Sequence, residues 1–362
     1  MFLNDDVKIG DNFIEDLLKP FSDPLVAMVG AKCSELSWGI NGAVMCVRRE
    51  IFEKLGGFDE NYVFTWEDRD LCENARHRGY KIAISGAKAE HKGKRSVRGP
   101  YYDKYFKEGE KYYHQKWDDK KRIIGAMVCG NEEGRYLEMV VADLFKRKLI
   151  DELVAVCDGC TDKTPMILKD LKKRYSITIY NHDFHLFGKA ENRLRERAID
   201  YAISKNPLGI LVPDADEIFD KDFKREKIYE LLNRGICWDF LIAHLWQDDK
   251  TCRIDGMYGF QKNARLFKYL KDKSQQFYKK PIHCGSVPIY AYKERRICNY
   301  LFKHYGYLNP EDIKTKQKRY EKYDKAGAYE SINFYQDMAK EPKLIKFDKN
   351  YFIKKWQKKN TR

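Results

Sequence analysis

The sequence has no apolar run long enough to cross a bilayer. Its longest uncharged stretches, such as PLVAMVGA, fall far short of the roughly 20 residues that a membrane helix needs. The opening, MFLNDDVKIGDNF, has neither a basic first segment nor an apolar one behind it, which predicts no signal peptide and no transmembrane helix. Cysteine is present, ten in 362 residues, but not as a framework. The thiols are scattered through apolar contexts such as AVMCVRR and GAMVCGNE, which argues against a disulfide scaffold and predicts buried, reduced side chains. No nucleic-acid motif is found, and KYFKEGEKYYHQKW reads as a solvated connecting helix, so no specific nucleic-acid partner is expected.

What is present sets the class. A hydrophobic share of 43% with 14% aromatics excludes a disordered chain, and the length accommodates two domains. The net charge of +14 suits anionic partners: nucleoside diphosphates, acidic glycans or a membrane surface. A cytoplasmic location is expected, with peripheral membrane association as its variant.

A charged step, HQKWDDKKR near residue 118, separates two regions. After it, IIGAMVCG, IDELVAVCD, ITIYNH and LGILVPDAD read as strands. NEEGRYLEMVVADLFKR, DKTPMILKDLKKRY and AENRLRERAIDYAIS read as the helices between them. Such alternation predicts a mainly parallel sheet with ligands at the carboxyl ends of its strands. Asn131 and Glu132, Asp158, and Asp214 with Asp216 all fall at those ends. Unpaired acids gathered at one edge cost stability, so a bound ligand carrying metal and phosphate explains them economically.

In this order, CGNEEGRYLEMVV, VCDGCTDKTPMIL, RLRERAIDYA and GILVPDADEIF resemble the nucleotide-sugar half of a family 2 glycosyltransferase with the GT-A fold. The resemblance implies an α/β fold with a mixed, mainly parallel sheet flanked by helices. It implies that Asn131 and Glu132 line the nucleotide pocket, that Asp158 faces base or ribose, and that Lys189 and Arg195 join the donor site. Glu196 stands where the family has Asn. Asp214, Ala215 and Asp216 match the Asp-x-Asp motif, which implies Mn2+ or Mg2+. A hard divalent cation bridging carboxylate and phosphate stabilises a departing nucleoside diphosphate. Within the resemblance, Cys160 takes a Ser position, so Cys157-x-x-Cys160 is accidental. The competing reading, zinc on Cys157, Cys160, His182 and His185, has unusual ligand spacing.

The first region repeats the theme. MFLNDDV followed by GAVMCVRREIFEKLGGFDENYVFTWEDRDLCENARHRGYKI resembles the metal motif and acceptor half of such an enzyme. That implies Asp5 and Asp6 at the metal motif, Glu67 and Asp68 as the pair supplying a base, and His91 as a later metal or phosphate contact. A complete domain takes roughly another 80 to 100 residues before Asp5, so this region is not expected to bind donor alone. The second region's acceptor half, CWDFLIAHLWQDDKTCRIDGMYGFQKNARLFKYL, lacks the Glu-Asp helix. It resembles a branch with Arg-x-Asp and Arg-Leu-Phe before a His-rich segment, here PIHCG and FKHYGYLNPEDIKTKQKRYEKYD. That branch implies His283 or His304 as a third metal ligand, with His304 preferred. Asp248, Asp249 and Asp255 lie where a base is needed; Asp249 is preferred because QDD follows an aromatic strand.

The expected organisation is a truncated GT-A-like region at 1–118, a complete domain at 119–311 and a basic, helical extension at 312–362. The expected activity is metal-dependent, inverting transfer from a nucleotide diphosphate sugar to a glycan or lipid-linked acceptor. The alternatives are a non-catalytic nucleotide- or glycan-binding subunit and a nucleotidyltransferase, the latter disfavoured by the lack of a Gly-rich, Arg- and Lys-bearing phosphate loop.

Overall fold

Segments 1–121 and 122–362 pack as separate units, each around its own apolar side chains. The computed structural model describes residues 1–36, 38–63, 65–92, 99–117, 121–324, 336–338 and 340–360. The step expected near residue 118 and parts of the expected tail, 325–335, 339 and 361–362, lie outside the described residues.

The first unit carries short strands β1 (Phe2–Leu3), β2 (Val7–Ile9), β3 (Val26–Gly30), β4 (Glu35–Leu36), β5 (Gly39–Ile40), β6 (Val44–Val47), β7 (Lys81–Ile84) and β8 (Ala89–His91). Its helices are α1 (Phe13–Leu18), α2 (Arg49–Leu55), α3 (Glu67–His77) and α4 (Pro100–Trp117). A sheet of order β1-β6-β3-β7 pairs β3 parallel with β7 and antiparallel with β6. Helix α3 buries Leu71, Cys72 and Ala75 at helical spacing against Met28 and Met45, and sets Glu67, Asp68 and Asp70 in its first turn, where the helix dipole favours acids.

In the second unit, β9 (Ile123–Cys129), α5 (Leu137–Lys146), β10 (Glu152–Asp158), α6 (Thr164–Lys172), β11 (Ile177–His182), α7 (Glu191–Ile203) and β12 (Gly209–Leu211) alternate as the sequence predicts. Next come β13 (Glu217–Phe219), α8 (Arg225–Arg234), β14 (Cys237–His244), β15 (Thr251–Arg253), β16 (Gln261–Lys268), α9 (Ile289–Lys293), β17 (Arg295–His304), α10 (Pro310–Tyr323), β18 (Leu344–Lys346) and α11 (Lys349–Asn360). One sheet runs β11-β10-β9-β12-β16-β14-β17-β13. The pairs among β9 to β12 are parallel; antiparallel β16 joins them to the parallel pair β14–β17. The fold is therefore α/β with a mixed sheet.

Period-two alternation on a sheet covered on both faces explains why β9, and β10 between its terminal Glu152 and Asp158, are apolar. Ile123, Met127, Leu153 and Ala155 face Leu137, Val140, Leu144 and Leu168 of α5 and α6. Ile124, Ala126, Val154 and Val156 face Leu194, Ala198 and Ala202 of α7.

Three elements differ from expectation. The helix read from Asn131 begins only at Leu137, because Gly134 takes a left-handed φ of +70° that a helical turn does not hold; before it, Glu132 and Glu133 donate their backbone N–H to Thr164 Oγ1 (2.7 Å) and Asp162 Oδ2 (2.8 Å). Strand β12 stops at Leu211, before Pro213, which has no N–H for a ladder, and the chain returns as β13 beside β17. Helix α10 starts at Pro310 and so crosses the boundary expected at 311/312. Beyond it, β18 pairs with β15 and Phe352 of α11 packs on Leu241 and Ala243, so these parts of the basic tail belong to the second unit's packing.

Candidate functional site

A cavity of about 1160 Å³ opens at the carboxyl ends of β9, β10 and β12. Asn131, Glu132 and Arg135 line it from the loop after β9, Asp158 and Gly159 from the end of β10, and Asp214, Ala215 and Asp216 from the loop after β12. One lining glycine is positional: Gly159 has φ +59°, and a Cβ there would press on the backbone of Phe184 and His185. Helix α10 supplies Thr315, Lys316, Arg319 and Tyr320, spaced as one helical face.

Most of the expected donor residues meet here. Asn131 is fixed by two hydrogen bonds with Thr161, both 2.9 Å. Asp158 is buried; its carboxylate accepts the N–H of Leu186 (2.6 Å) and of Phe187 (3.0 Å) and lies 3.0 Å from His185 Nδ1, so it anchors the loop after β11. Arg195 reaches Asp214 Oδ1 at 3.2 Å. Glu196, in the family's Asn position, accepts the N–H of Phe277 at 3.1 Å. Lys189 lines an adjacent cleft of about 630 Å³ with Arg193, Lys279 and Lys280.

The two aspartates are held by protein cations. Arg265 donates to Asp214 Oδ2 (2.8 Å) and to both Glu217 oxygens (each 2.6 Å) while 2% exposed. Burial works against the Asp214 charge, yet Arg265 and Arg195 override it and hold the carboxyl below the usual range. Asp216 Oδ2 lies 3.2 Å from Lys316 Nζ, 3.4 Å from His304 Nε2 and 3.9 Å from Arg135 Nη2. Burial is again outweighed, here by Lys316, His304 and Arg135, and Asp216 is held well below the ordinary carboxylate range. Glu132 shows the opposite balance: burial pushes its carboxyl up to about 7 although Arg135, 3.1 Å away, pulls it down.

The expected third ligands separate. His304 stands beside Asp216, backed by His244, whose Nδ1 is 3.1 Å from His304 Nδ1. His283 lines the cavity and stacks on Tyr320 at 5.3 Å. No group of three or more His, Cys, Asp or Glu among the described residues is placed to hold a metal ion. The contacts give the reason. Asp214 has both oxygens on guanidinium groups, and the Lys316 ammonium already sits on Asp216 and His304. A divalent ion about 4 Å from that ammonium would meet roughly 8 kcal/mol of repulsion at an effective dielectric near 20. As arranged, these residues do not fit Mn2+ or Mg2+.

The expected base candidates do not reach the cavity lining. Asp248 and Asp249 are exposed in the turn after β14, where Asp248 accepts the N–H of Lys250 (2.8 Å). Asp255 is paired with Arg253 through two contacts of 3.0 Å. Cys157 is buried in β10 and the Cys160 thiol donates to the Gly130 carbonyl (3.0 Å). His182 Nδ1 faces Arg197 at 3.3 Å.

In the first unit, Asp6 and His91 meet at 3.0 Å across the β2–β8 pair, and Asp5 is exposed. Asp68 accepts the N–H of Gly42 (3.0 Å); burial raises the carboxyls of Glu67 and Asp68 above their ordinary values.

Sequence reasoning missed Arg135, Lys316, Arg319 and Arg265 as site residues. Only Arg265 left a trace, in Arg-Leu-Phe; the others look like ordinary basic residues until the fold gathers them.

Comparison with solved structures returns TarS of S. aureus at TM-score 0.37 and 14% identity, over 56% of this chain and 40% of that one. TarS 1–349 in complex with UDP matches at TM-score 0.37 and 13% identity, over 60% of this chain and 69% of that one. No curated protein sequence matches. The family model for glycosyl transferase family 2 matches residues 126–292, the segment that carries β9 to α9. The second unit of this chain thus carries a segment, residues 126–292, that matches the family 2 glycosyltransferase domain.

Proposed function

We propose that the second unit transfers a sugar from a nucleotide diphosphate sugar to a hydroxyl of a glycan or lipid-linked acceptor, with inversion. One observation carries the reading: Asp214-Ala215-Asp216, Arg135 and Arg195 of the segment that matches family 2 converge with Lys316 and Arg319 on one large cavity. In the transfer, the anomeric C–O bond to phosphate breaks and its electron pair leaves on the nucleoside diphosphate. The acceptor oxygen bonds the anomeric carbon and releases its proton to solvent water. The developing phosphate charge is met by guanidinium and ammonium groups already in place, which stabilises the transition state without reorganisation. Mn2+ or Mg2+ is implied by the resemblance but does not fit the contacts, so no step runs through it. Asp248, Asp249 and Asp255 lie off the cavity lining and are not included as the base.

That last point favours a second reading, a nucleotide-binding subunit without turnover. Among the described residues no helix is long and apolar enough to cross a membrane; the basic charge supports peripheral attachment to an anionic surface.

The test is product analysis with UDP-, GDP- and dTDP-sugars labelled in the sugar or in the nucleotide. Sugar label on an acceptor with release of nucleoside diphosphate supports transfer. Binding without product supports the second reading, and transfer of the nucleotide label with release of sugar 1-phosphate would reveal a nucleotidyltransferase.

A further inference from the structure

We propose that Lys316 is the resident cation of this cavity: its ammonium, with Arg135 and Arg319, takes the donor's diphosphate, so that nucleoside diphosphates bind without a divalent metal. The inference rests on the glycosyltransferase reading above and departs from the metal that the family resemblance implies.

Three observations support it. First, Lys316 Nζ occupies the donor set that a metal would need, Asp216 Oδ2 at 3.2 Å and His304 Nε2 at 3.4 Å, with the Tyr307 ring 4.6 Å below. Gly306 makes the room, since a Cβ there would collide with Lys316 Nζ and Asp216 Oδ2. Second, the ammonium is delivered by a well-formed helix: Asn309 caps α10 by accepting the Glu311 N–H, Pro310 opens it, and Asp312 ties it to Arg135 at 3.7 Å. Third, the Nε atoms of Arg135 and Arg319 are buried and have no hydrogen-bond partner among the described residues, the Asp312 carboxylate standing beyond hydrogen-bond reach of Arg135 Nε at 3.7 Å, although both side chains line the cavity. Buried charged donors call for an acceptor, and phosphate oxygens match guanidinium geometry.

The test is calorimetry of UDP, GDP and dTDP on the whole chain, in EDTA and in Mn2+, with Mn2+ binding followed separately by electron paramagnetic resonance. The wild type is expected to bind one nucleotide equally in both media and to take up no Mn2+. Lys316→Met is expected to weaken binding in EDTA by about 10- to 100-fold, the scale of one charge-assisted contact, and to gain Mn2+ uptake on the freed Asp216 and His304. Lys316→Arg is expected to retain most of the affinity. Binding by the wild type only in Mn2+, or unchanged binding by Lys316→Met in EDTA, overturns the inference and leaves the transferase reading standing. Failure of every nucleotide in both media overturns that reading itself. Should Lys316→Met not fold, the wild-type comparison of EDTA with Mn2+ still decides.

Discussion

Lys316 Nζ and Asp216 Oδ2 lie 3.2 Å apart although 100 residues separate them in sequence. The pair places an ammonium beside the second acid of the Asp-x-Asp motif and ties α10 to the loop after β12.

That contact depends on the bare backbone of Gly306. Gly306→Ala is expected to displace Lys316, costing about 1–3 kcal/mol of stability, as overpacking does, and weakening nucleotide binding about tenfold. Urea denaturation and calorimetry on the same variant check both; wild-type values in each would show that the glycine is dispensable.

Arg265 holds Asp214 and Glu217 together in the interior. Arg265→Met is expected to destabilise the second unit by about 3–5 kcal/mol, because it leaves Glu217 buried without its counter-charge. Adding Glu217→Gln should recover part of that loss. A double-mutant cycle by chemical denaturation measures the coupling, and additive effects would refute it.

Glu132 makes stability depend on pH. Its folded carboxyl titrates near 7 against an ordinary 4.5, so its burial costs nothing below 4.5, costs more as pH rises to 7, and costs its full amount above. Glu132→Gln removes the penalty, on the order of 3 kcal/mol at pH 8 and none at pH 4. Melting curves of wild type and variant at the two pH values are expected to diverge only at pH 8; an equal gap at both would contradict the burial argument.

Asp248→Asn and Asp249→Asn are expected to retain turnover within about threefold, because neither residue lines the cavity. Asp255→Asn is expected to behave differently from both, costing about 1–3 kcal/mol of stability through the fully buried Arg253 while sparing chemistry. Loss of kcat with unchanged stability in any of the three would return the base to that residue.

Cys160→Ser is expected to change stability by less than about 1 kcal/mol, since a hydroxyl can donate to the same Gly130 carbonyl. Stoichiometric zinc in purified protein that persists through dialysis and disappears in the variant would revive the Cys-x-x-Cys reading.

The sequence by itself determined the alternation of strands and helices from 123 to 211, because a sheet buried on both faces demands continuous apolar runs and its helices demand spaced ones. It also located Asn131, Asp158, Asp214 and Asp216, since residues at the carboxyl ends of adjacent parallel strands come together in any such fold. It overran the helix after β9, where Gly134 takes a left-handed backbone, φ +70°, that interrupts the helical turn. Only the tertiary structure decided how the acids are balanced. Lys316 and Arg319 sit in a tail of many lysines, where nothing local distinguishes them, and Arg265, between Lys262 and Lys268 in β16, is marked only by Arg-Leu-Phe. Their importance comes from the burial and Coulomb contacts that arise when α10 and β16 pack beside the loop carrying Asp214 and Asp216, and those contacts are long-range by nature.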